Sequence, residues 1–263
     1  MHFTSESRID ACVVERDFTL DEIPGVLWTP ETTSAPVPLI LLGQSRRTFT
    51  MYPRLASRAR RAAADGFATA TIELPGAGDR PRMTAVDGAR ADLRRTLTAG
   101  EPVGTEIIDR LVLRRVEQAV PEWQAALDSL LTLPEIGGPV GYSGGVISIG
   151  VRLAVVEPRI VAAGFFAGSF IPRSIVEEAR LVTIPLHVLL QWNDRRAALE
   201  LFDSFGSQEK TLQANIGGHT GVPAFAAEDT ARFFTRHLRW PTAWRDGSIA
   251  DLSVAFEDAP PGC

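Results

Sequence analysis

Short apolar runs alternate with segments of helix length, and this alternation is what most constrains the fold of the chain. The run Pro38–Gly43 is almost continuously apolar, as is typical of a strand buried on both faces of a parallel sheet. The segments between such runs are long enough for helices that return the chain across the sheet. The pattern therefore predicts an α/β fold, with a mostly parallel sheet and helices on both faces.

The same pattern gives approximate bounds for the individual elements. The predicted strands are Cys12–Phe18, Gly25–Trp28, Pro38–Gly43, Phe67–Leu74, Pro139–Ser143, Val161–Phe166, Pro185–Gln191 and Thr211–Ala214, with the first two antiparallel. The predicted helices are Arg54–Ala64, Ala89–Thr98, Ile107–Leu131 with a break or kink at Pro121, Gly145–Val156, Arg195–Phe202 and Pro223–Leu238. The polar segment 79–105 is interpreted as a lid-like excursion above the strand ends.

Length and charge narrow the class of protein. A chain of 263 residues suits one α/β domain spanning 1–263, with a sizeable core. The net charge is −5 and no long basic run occurs, so we expect no nucleic acid as a partner. A small-molecule substrate is the expected partner, and a homodimer is left open.

The number of cysteines and the first residues of the chain indicate the cellular compartment. Only Cys12 and Cys263 are present, which excludes a disulfide scaffold and favours a reducing cytoplasm. The first residues lack the pattern of a signal peptide, and no apolar run is long enough for a bilayer, so no membrane association is expected. No metal-ligand spacing, Walker pattern or dinucleotide-binding glycine motif occurs, so no metal and no cofactor is expected.

The segment Gly141-Tyr142-Ser143-Gly144-Gly145 matches the G-x-S-x-G motif between a predicted strand and a predicted helix. A nucleophile at the tip of such a turn adopts strained backbone angles, and small neighbours let the chain pass. The following helix directs N–H groups towards a developing oxyanion. Ser143 is thus a candidate nucleophile, with a positive or otherwise strained φ expected; the alternative is an ordinary serine in a glycine-rich turn.

An acid and a histidine follow in the order that this motif requires. Asp194 comes just after the predicted strand Pro185–Gln191, where a carboxylate can orient a histidine; it could equally cap the helix that follows. His219 lies in a glycine-flanked loop before the last helix, a position that favours function over packing. The order Ser143, Asp194, His219 is that of a hydrolytic triad.

Further residues near the predicted strand ends are candidates for the pocket. Gln44 and Ser45 follow the strand Pro38–Gly43, and their backbone N–H groups, with that of Gly144, could form an oxyanion hole. Glu73 ends the next strand and either faces the pocket or forms an ion pair there.

These motifs resemble the dienelactone-hydrolase-like branch of the α/β-hydrolases, as found in many actinobacterial esterase-like proteins. The resemblance runs from Phe18 to Leu238. It is carried by Ile23–Pro30, Leu39–Gly43, Gly78-Asp79-Arg80, Pro121-Glu122-Trp123, Gly138–Tyr142, Glu157-Pro158-Arg159-Ile160, Leu190-Gln191-Trp192, Gly217-Gly218-His219 and Val222-Pro223. It implies the α/β-hydrolase fold and a Ser-His-Asp triad.

The register of the turn leaves two positions for the nucleophile. Relatives have a longer strand before it, and matching Gly141-Tyr142 without a gap places Val146, not Ser143, at the nucleophile position. If Ser143 serves, the chain is a hydrolase of an ester, lactone or thioester. If the nucleophile is lost, His219 and Asp194 remain as an acid–base pair for cyclisation, elimination or isomerisation, and a non-enzymatic relic of the fold is a third possibility.

Overall fold

Nine strands form a single sheet in the part of the chain that the structure, a computed structural model, describes: residues 1–31, 36–166, 168, 170–191, 195–216 and 224–239. The strands are β1 (His2–Arg8), β2 (Val13–Leu20), β3 (Ile23–Pro30), β4 (Val37–Gly43), β5 (Ala68–Ile72), β6 (Ile136–Gly144), β7 (Ile160–Phe166), β8 (Leu186–Gln191) and β9 (Lys210–Asn215). Their order in the sheet is β1-β2-β3-β5-β4-β6-β7-β8-β9.

Strand direction divides the sheet into two parts. The strands β1, β2 and β3 are antiparallel neighbours, and β3 pairs antiparallel with β5. From β5 through β4 and β6 to β9, every neighbouring pair is parallel. The prediction of a mostly parallel sheet with an antiparallel start is therefore confirmed.

Helices connect the parallel strands and cover both faces of the sheet. The α-helices of the described ranges are α1 (Thr48–Ala64), α2 (Thr84–Thr98), α3 (Thr105–Leu130), α4 (Ile147–Val156), α5 (Arg173–Glu178), α6 (Arg195–Ser204) and α7 (Ala224–Phe234). A 3₁₀ turn at Ala179–Leu181 follows α5, and a π-helical turn at Thr235–Arg239 extends α7. None of these described helices combines the length and apolarity that a membrane span requires.

The core consists of two apolar layers separated by the sheet. Along β4, Leu39 and Leu41 pack in the layer formed with α3 and α4. The alternate residues Ile40 and Leu42 pack in the layer formed with α1 and α7, because successive strand residues point to opposite faces. Both layers are closed by helices, which is why β4 is apolar at nearly every position.

The structure differs from the prediction at the start of the chain, in α3 and at the start of α2. The strand β1 was not predicted, because its residues are mostly polar and exposed; it is an edge strand paired with β2. The helix α3 is not broken at Pro121, since it buries apolar residues on both sides of the proline, including Val116 and Trp123. The helix predicted within the segment 79–105 is present as α2, which begins at Thr84 and not at Ala89 and packs against α3. The lid-like behaviour of this segment stays a prediction.

The strand β6 is longer than predicted, with consequences for the functional site. The prediction gave Pro139–Ser143, whereas the strand runs from Ile136 to Gly144. It is extended because β4 pairs with it from Val37 opposite Ile136 to Gly43 opposite Gly144, with a shift of register between Pro38 and Leu39. The following helix accordingly begins at Ile147 and not at Gly145.

Candidate functional site

The parallel strands bring several polar residues to one edge of the sheet, which we call the carboxyl edge. Gln44 follows β4, Glu73 follows β5, β6 ends at Gly144, and β9 ends at Asn215. In open α/β sheets, ligands bind outside the carboxyl ends of the strands. The carboxyl edge is therefore the candidate site.

The turn between β6 and α4, residues Gly144–Val146, lies at the centre of this edge, and we call it the elbow. Gly144 has a φ of 81° and Gly145 a φ of 76°. Val146 has a φ of −74° and precedes the first residue of α4, so it carries no left-handed strain. Two glycines thus form the sharp part of the elbow, where residues with a Cβ would be strained.

Contact with the end of β4 also restricts the elbow to glycine. A Cβ on Gly145 would lie 2.8 Å from the backbone nitrogen of Gln44 and 2.8 Å from the carbonyl carbon of Gly43. Because these are backbone atoms, no side-chain rotation relieves the overlap. The close approach brings the Gln44 backbone nitrogen beside the elbow. Its expected role in an oxyanion hole, with Gly144, stays a prediction.

Ser143 lies inside the sheet and not at the tip of the turn. It is opposite Leu42 of β4 and Gly164 of β7, and only 4% of its surface is exposed. Among the described residues other than glycine, only Asp21 has a positive φ, so the positive φ expected for Ser143 at the tip of the turn is wrong. The physical reason is the pairing of β6 with β4, which continues past Ser143 and moves the turn onto the glycines.

The side chain of Ser143 is held by an arginine of α1. Strand alternation directs Tyr142 into the α3–α4 layer and Ser143 towards the opposite face, which α1 and α7 cover. Arg58 Nη2 donates hydrogen bonds to the Ser143 backbone oxygen at 2.9 Å and to Ser143 Oγ at 2.7 Å. Both acceptors of Ser143 are therefore engaged by one cationic group.

Arg58 is a functional candidate that the sequence-based prediction missed. Part of the side chain remains exposed, but protein surrounds the guanidinium, and this burial lowers the pKa of Arg58 to about 10. Within the described ranges it forms no ion pair. The one feature of the sequence that could have indicated Arg58 is its position three residues after Leu55, at the border of the buried face of α1.

The side chain of Gln44 is turned into the protein. It is 1% exposed, and its Nε2 donates to Thr48 Oγ1 at 2.9 Å and to the Ile72 backbone oxygen at 2.5 Å. These bonds connect the end of β4 with α1 and β5. Ser45, the next residue, is exposed in the loop.

Glu73 is bound to the beginning of α1. Both of its carboxylate oxygens accept the backbone N–H of Thr48 at 3.1 Å, so the carboxylate stabilises the positive end of the helix. The Glu73 backbone oxygen accepts a bond from Arg80, which is ion-paired with Glu122. Glu73 was predicted either to face the pocket or to form an ion pair, and its carboxylate forms no ion pair with any described residue.

Asp194 and His219 lie outside the described residues, and their catalytic roles stay predictions. Among the other histidines, His187 is buried in β8, with Nδ1 at 3.1 Å from Thr211 Oγ1 and its ring stacked on Phe233. Burial lowers the pKa of His187. The described part of the chain contains no group of acidic, histidine or cysteine side chains that could hold a metal ion.

Solved structures share this architecture over most of the chain. A cold-adapted esterase from an Arctic intertidal metagenomic library, in its PEG-bound complex, superposes with a TM-score of 0.70. It is 26% identical, and the match covers 90% of this chain and 100% of that one. The chain has the α/β-hydrolase fold. The predicted fold and the predicted resemblance to the α/β-hydrolase superfamily are confirmed.

More distant α/β-hydrolases match at the level of the fold. An acetyl xylan esterase from Paenibacillus sp. R4 has a TM-score of 0.64 and 14% identity, over 90% of this chain and 87% of that one. A protein named as a dienelactone hydrolase from Klebsiella pneumoniae subsp. pneumoniae MGH 78578 has a TM-score of 0.61 and 12% identity, over 86% and 99%. No protein-family model and no curated protein matches the chain.

Proposed function

We propose that this α/β-hydrolase acts on the carbonyl group of a small ester-like molecule at the carboxyl edge, without forming a covalent serine intermediate. The observation that carries the proposal is the composition of the elbow. Gly144, Gly145 and Val146 have no nucleophilic side chain. The hydroxyls on either side, those of Ser143 and Ser148, belong to residues that are 4% and 1% exposed.

The reaction class is supported by the solved neighbours. The 26% identical structure is named as an esterase and is matched over its full length, and more distant neighbours are named as esterases and hydrolases. An ester-type bond in a small molecule is the simplest substrate that these neighbours and the edge location support together.

His219 and Asp194 supply the acid–base chemistry in this proposal. His219 accepts a proton from a water molecule while Asp194 orients the imidazole, and the hydroxide that results attacks the substrate carbonyl. Backbone N–H groups at Gln44 and at the start of α4 stabilise the oxyanion. When the tetrahedral intermediate collapses, the leaving alcohol takes the proton from His219, so the enzyme returns to its initial state.

Two other routes use the same edge. The first is the Ser143–His219–Asp194 triad, which requires Ser143 Oγ to leave Arg58 and reach the carboxyl edge. The second is non-hydrolytic acid–base chemistry, such as cyclisation or isomerisation, which the absence of a nucleophile in the Gly144–Val146 elbow favours equally. The pair of substitutions separates the triad from the proposed route, and hydrolysis of an ester panel by the unmodified chain separates both from the non-hydrolytic route.

The test compares His219→Ala and Ser143→Ala on a panel of p-nitrophenyl esters and small lactones. We expect His219→Ala to lower turnover at least about a hundredfold, which is within the usual range for acid–base catalysis. The turnover of Ser143→Ala should stay within about tenfold of that of the unmodified chain, because only one hydrogen bond to a cation is lost. Equal losses in both variants would favour the triad. No hydrolysis of any panel member by the unmodified chain would refute the hydrolase proposal.

A further inference from the structure

We propose that Arg58 is a positioning residue for the reaction at the elbow: it fixes the last residues of β6 and supplies a positive charge beneath the turn. The reaction itself is that of the proposed function. Arg58 is not assigned any contact with substrate, and it acts through the backbone that it holds.

The contacts of Arg58 converge on the residues that lead into the elbow. One nitrogen, Nη2, bonds both the backbone oxygen and Oγ of Ser143. The other, Nη1, lies 3.1 Å from the position that a Cβ would take on Gly144. Hydrogen bonds from a charged donor are roughly twice as strong as neutral ones. The guanidinium therefore bonds Ser143, immediately before the sharp turn, and lies close to Gly144, the first residue of the turn.

The desolvation of this charge is not offset by a carboxylate among the described residues, which favours a functional reason for its placement. The neighbouring Arg60 and Arg61 on α1 lie near the carboxylates of Asp10 and Glu228, with much of their side chains exposed. Arg58 has no such partner in the described ranges, although its guanidinium is buried. Buried cations without a counter-charge are rare because their desolvation is poorly offset. Since its pKa is about 10, Arg58 is protonated at neutral pH.

The electrostatics of the elbow fit a reaction that develops negative charge. The first turn of α4 contains no acidic residue, so its positive end is uncompensated by the helix itself. Arg58 adds a full charge on the sheet side of the same turn. Both would stabilise an oxyanion formed above the elbow, and a fixed charge needs no reorganisation during the reaction.

The experiment compares Arg58→Met, Arg58→Lys and the control Arg54→Met, which changes an exposed arginine of the same helix. Three quantities are measured: hydrogen exchange of residues 144–148, the urea midpoint, and turnover on the p-nitrophenyl ester panel. For Arg58→Met we expect about tenfold faster exchange at the elbow, from the loss of charge-assisted bonds, with an unchanged or higher urea midpoint. Turnover should fall about tenfold or more and be partly restored in Arg58→Lys. Arg54→Met should change none of the three.

Two outcomes would overturn the proposal. The first is hydrogen exchange at the elbow of Arg58→Met that equals that of the unmodified chain. The second is a fall of both the urea midpoint and turnover in Arg58→Met that Arg58→Lys does not restore, which is the result expected of a purely structural residue. If Arg58→Met does not fold, the exchange and turnover of Arg58→Lys decide. Hydrogen exchange at the elbow can be measured without turnover. If the unmodified chain hydrolyses no ester of the panel, the proposed hydrolase is refuted, and elbow exchange still tests the positioning role of Arg58.

Discussion

Substitution of Gly145 by alanine tests the geometry of the elbow most sharply. The residue has a φ of 76°, and a left-handed φ costs a residue with a Cβ about 1–2 kcal/mol. The new Cβ would also lie 2.8 Å from backbone atoms of Gly43 and Gln44, so β4 or the elbow must shift. Overpacking of this kind costs about 1–3 kcal/mol, and the two terms together give a loss of about 2–5 kcal/mol.

Urea unfolding of Gly145→Ala measures this loss, and two further glycines serve as controls. Gly100 has a φ of 70°, but a Cβ added there would meet nothing within 4 Å, so Gly100→Ala isolates the backbone cost of about 1–2 kcal/mol. Gly88 lies inside α2 with open space around it, and Gly88→Ala should stabilise the protein by about 0.5–1 kcal/mol. If Gly145→Ala and Gly100→Ala lower the free energy of unfolding equally, the close contact between the elbow and β4 is refuted.

Three further predictions concern the surroundings of the site. Arg80→Met leaves Glu122, whose side chain is 14% exposed, without its cation and should lower the free energy of unfolding by about 3 kcal/mol, because only the bond from Gln118 remains. Arg82→Met, at an 84% exposed side chain, should change the free energy of unfolding by less than about 0.5 kcal/mol. Burial lowers the pKa of His187 below its value of 6.5 in the unfolded chain. The free energy of unfolding should therefore be highest above pH 6.5 and fall as the pH drops towards the folded-state pKa. His187→Gln should flatten this fall, whereas the control His2→Gln, at an exposed site, should not. Amides of residues 79–105 should exchange faster than those of 39–42, and equal protection would show that the excursion belongs to the stable core.

The fold was predictable because apolar periodicity encodes it directly. Strands buried on both faces, such as β4, need apolar residues at successive positions, and this signal is local. The edge strand β1 was missed for the opposite reason. Its residues are mostly polar, and it is held by backbone pairing with β2 and by packing of Phe3 against Phe18, which are contacts between distant residues.

The site was harder to predict because the position of the elbow depends on pairing. The predicted strand began at Pro139, yet the strand begins at Ile136, because Val37 and Pro38 of β4 pair with Ile136 and Gly137. The G-x-S-x-G match lies at the strand end where the elbow is found, but it places the turn at Ser143, one residue before Gly144. Arg58 was missed because its contact with Ser143 joins residues 85 positions apart, and a place at the border of the buried face of α1 does not by itself predict that contact.

The central claim is that this α/β-hydrolase works without a serine acyl-enzyme, and labelling with a fluorophosphonate followed by intact-mass measurement tests it directly. Such reagents bond covalently to an activated serine nucleophile, which a triad provides by proton transfer to histidine. Preparations that hydrolyse the p-nitrophenyl panel should be used, with a known serine hydrolase labelled in parallel. We predict that the mass of the unmodified chain does not change. A single adduct on the peptide containing Ser143, lost in His219→Ala, would contradict the claim and establish the Ser143 triad instead.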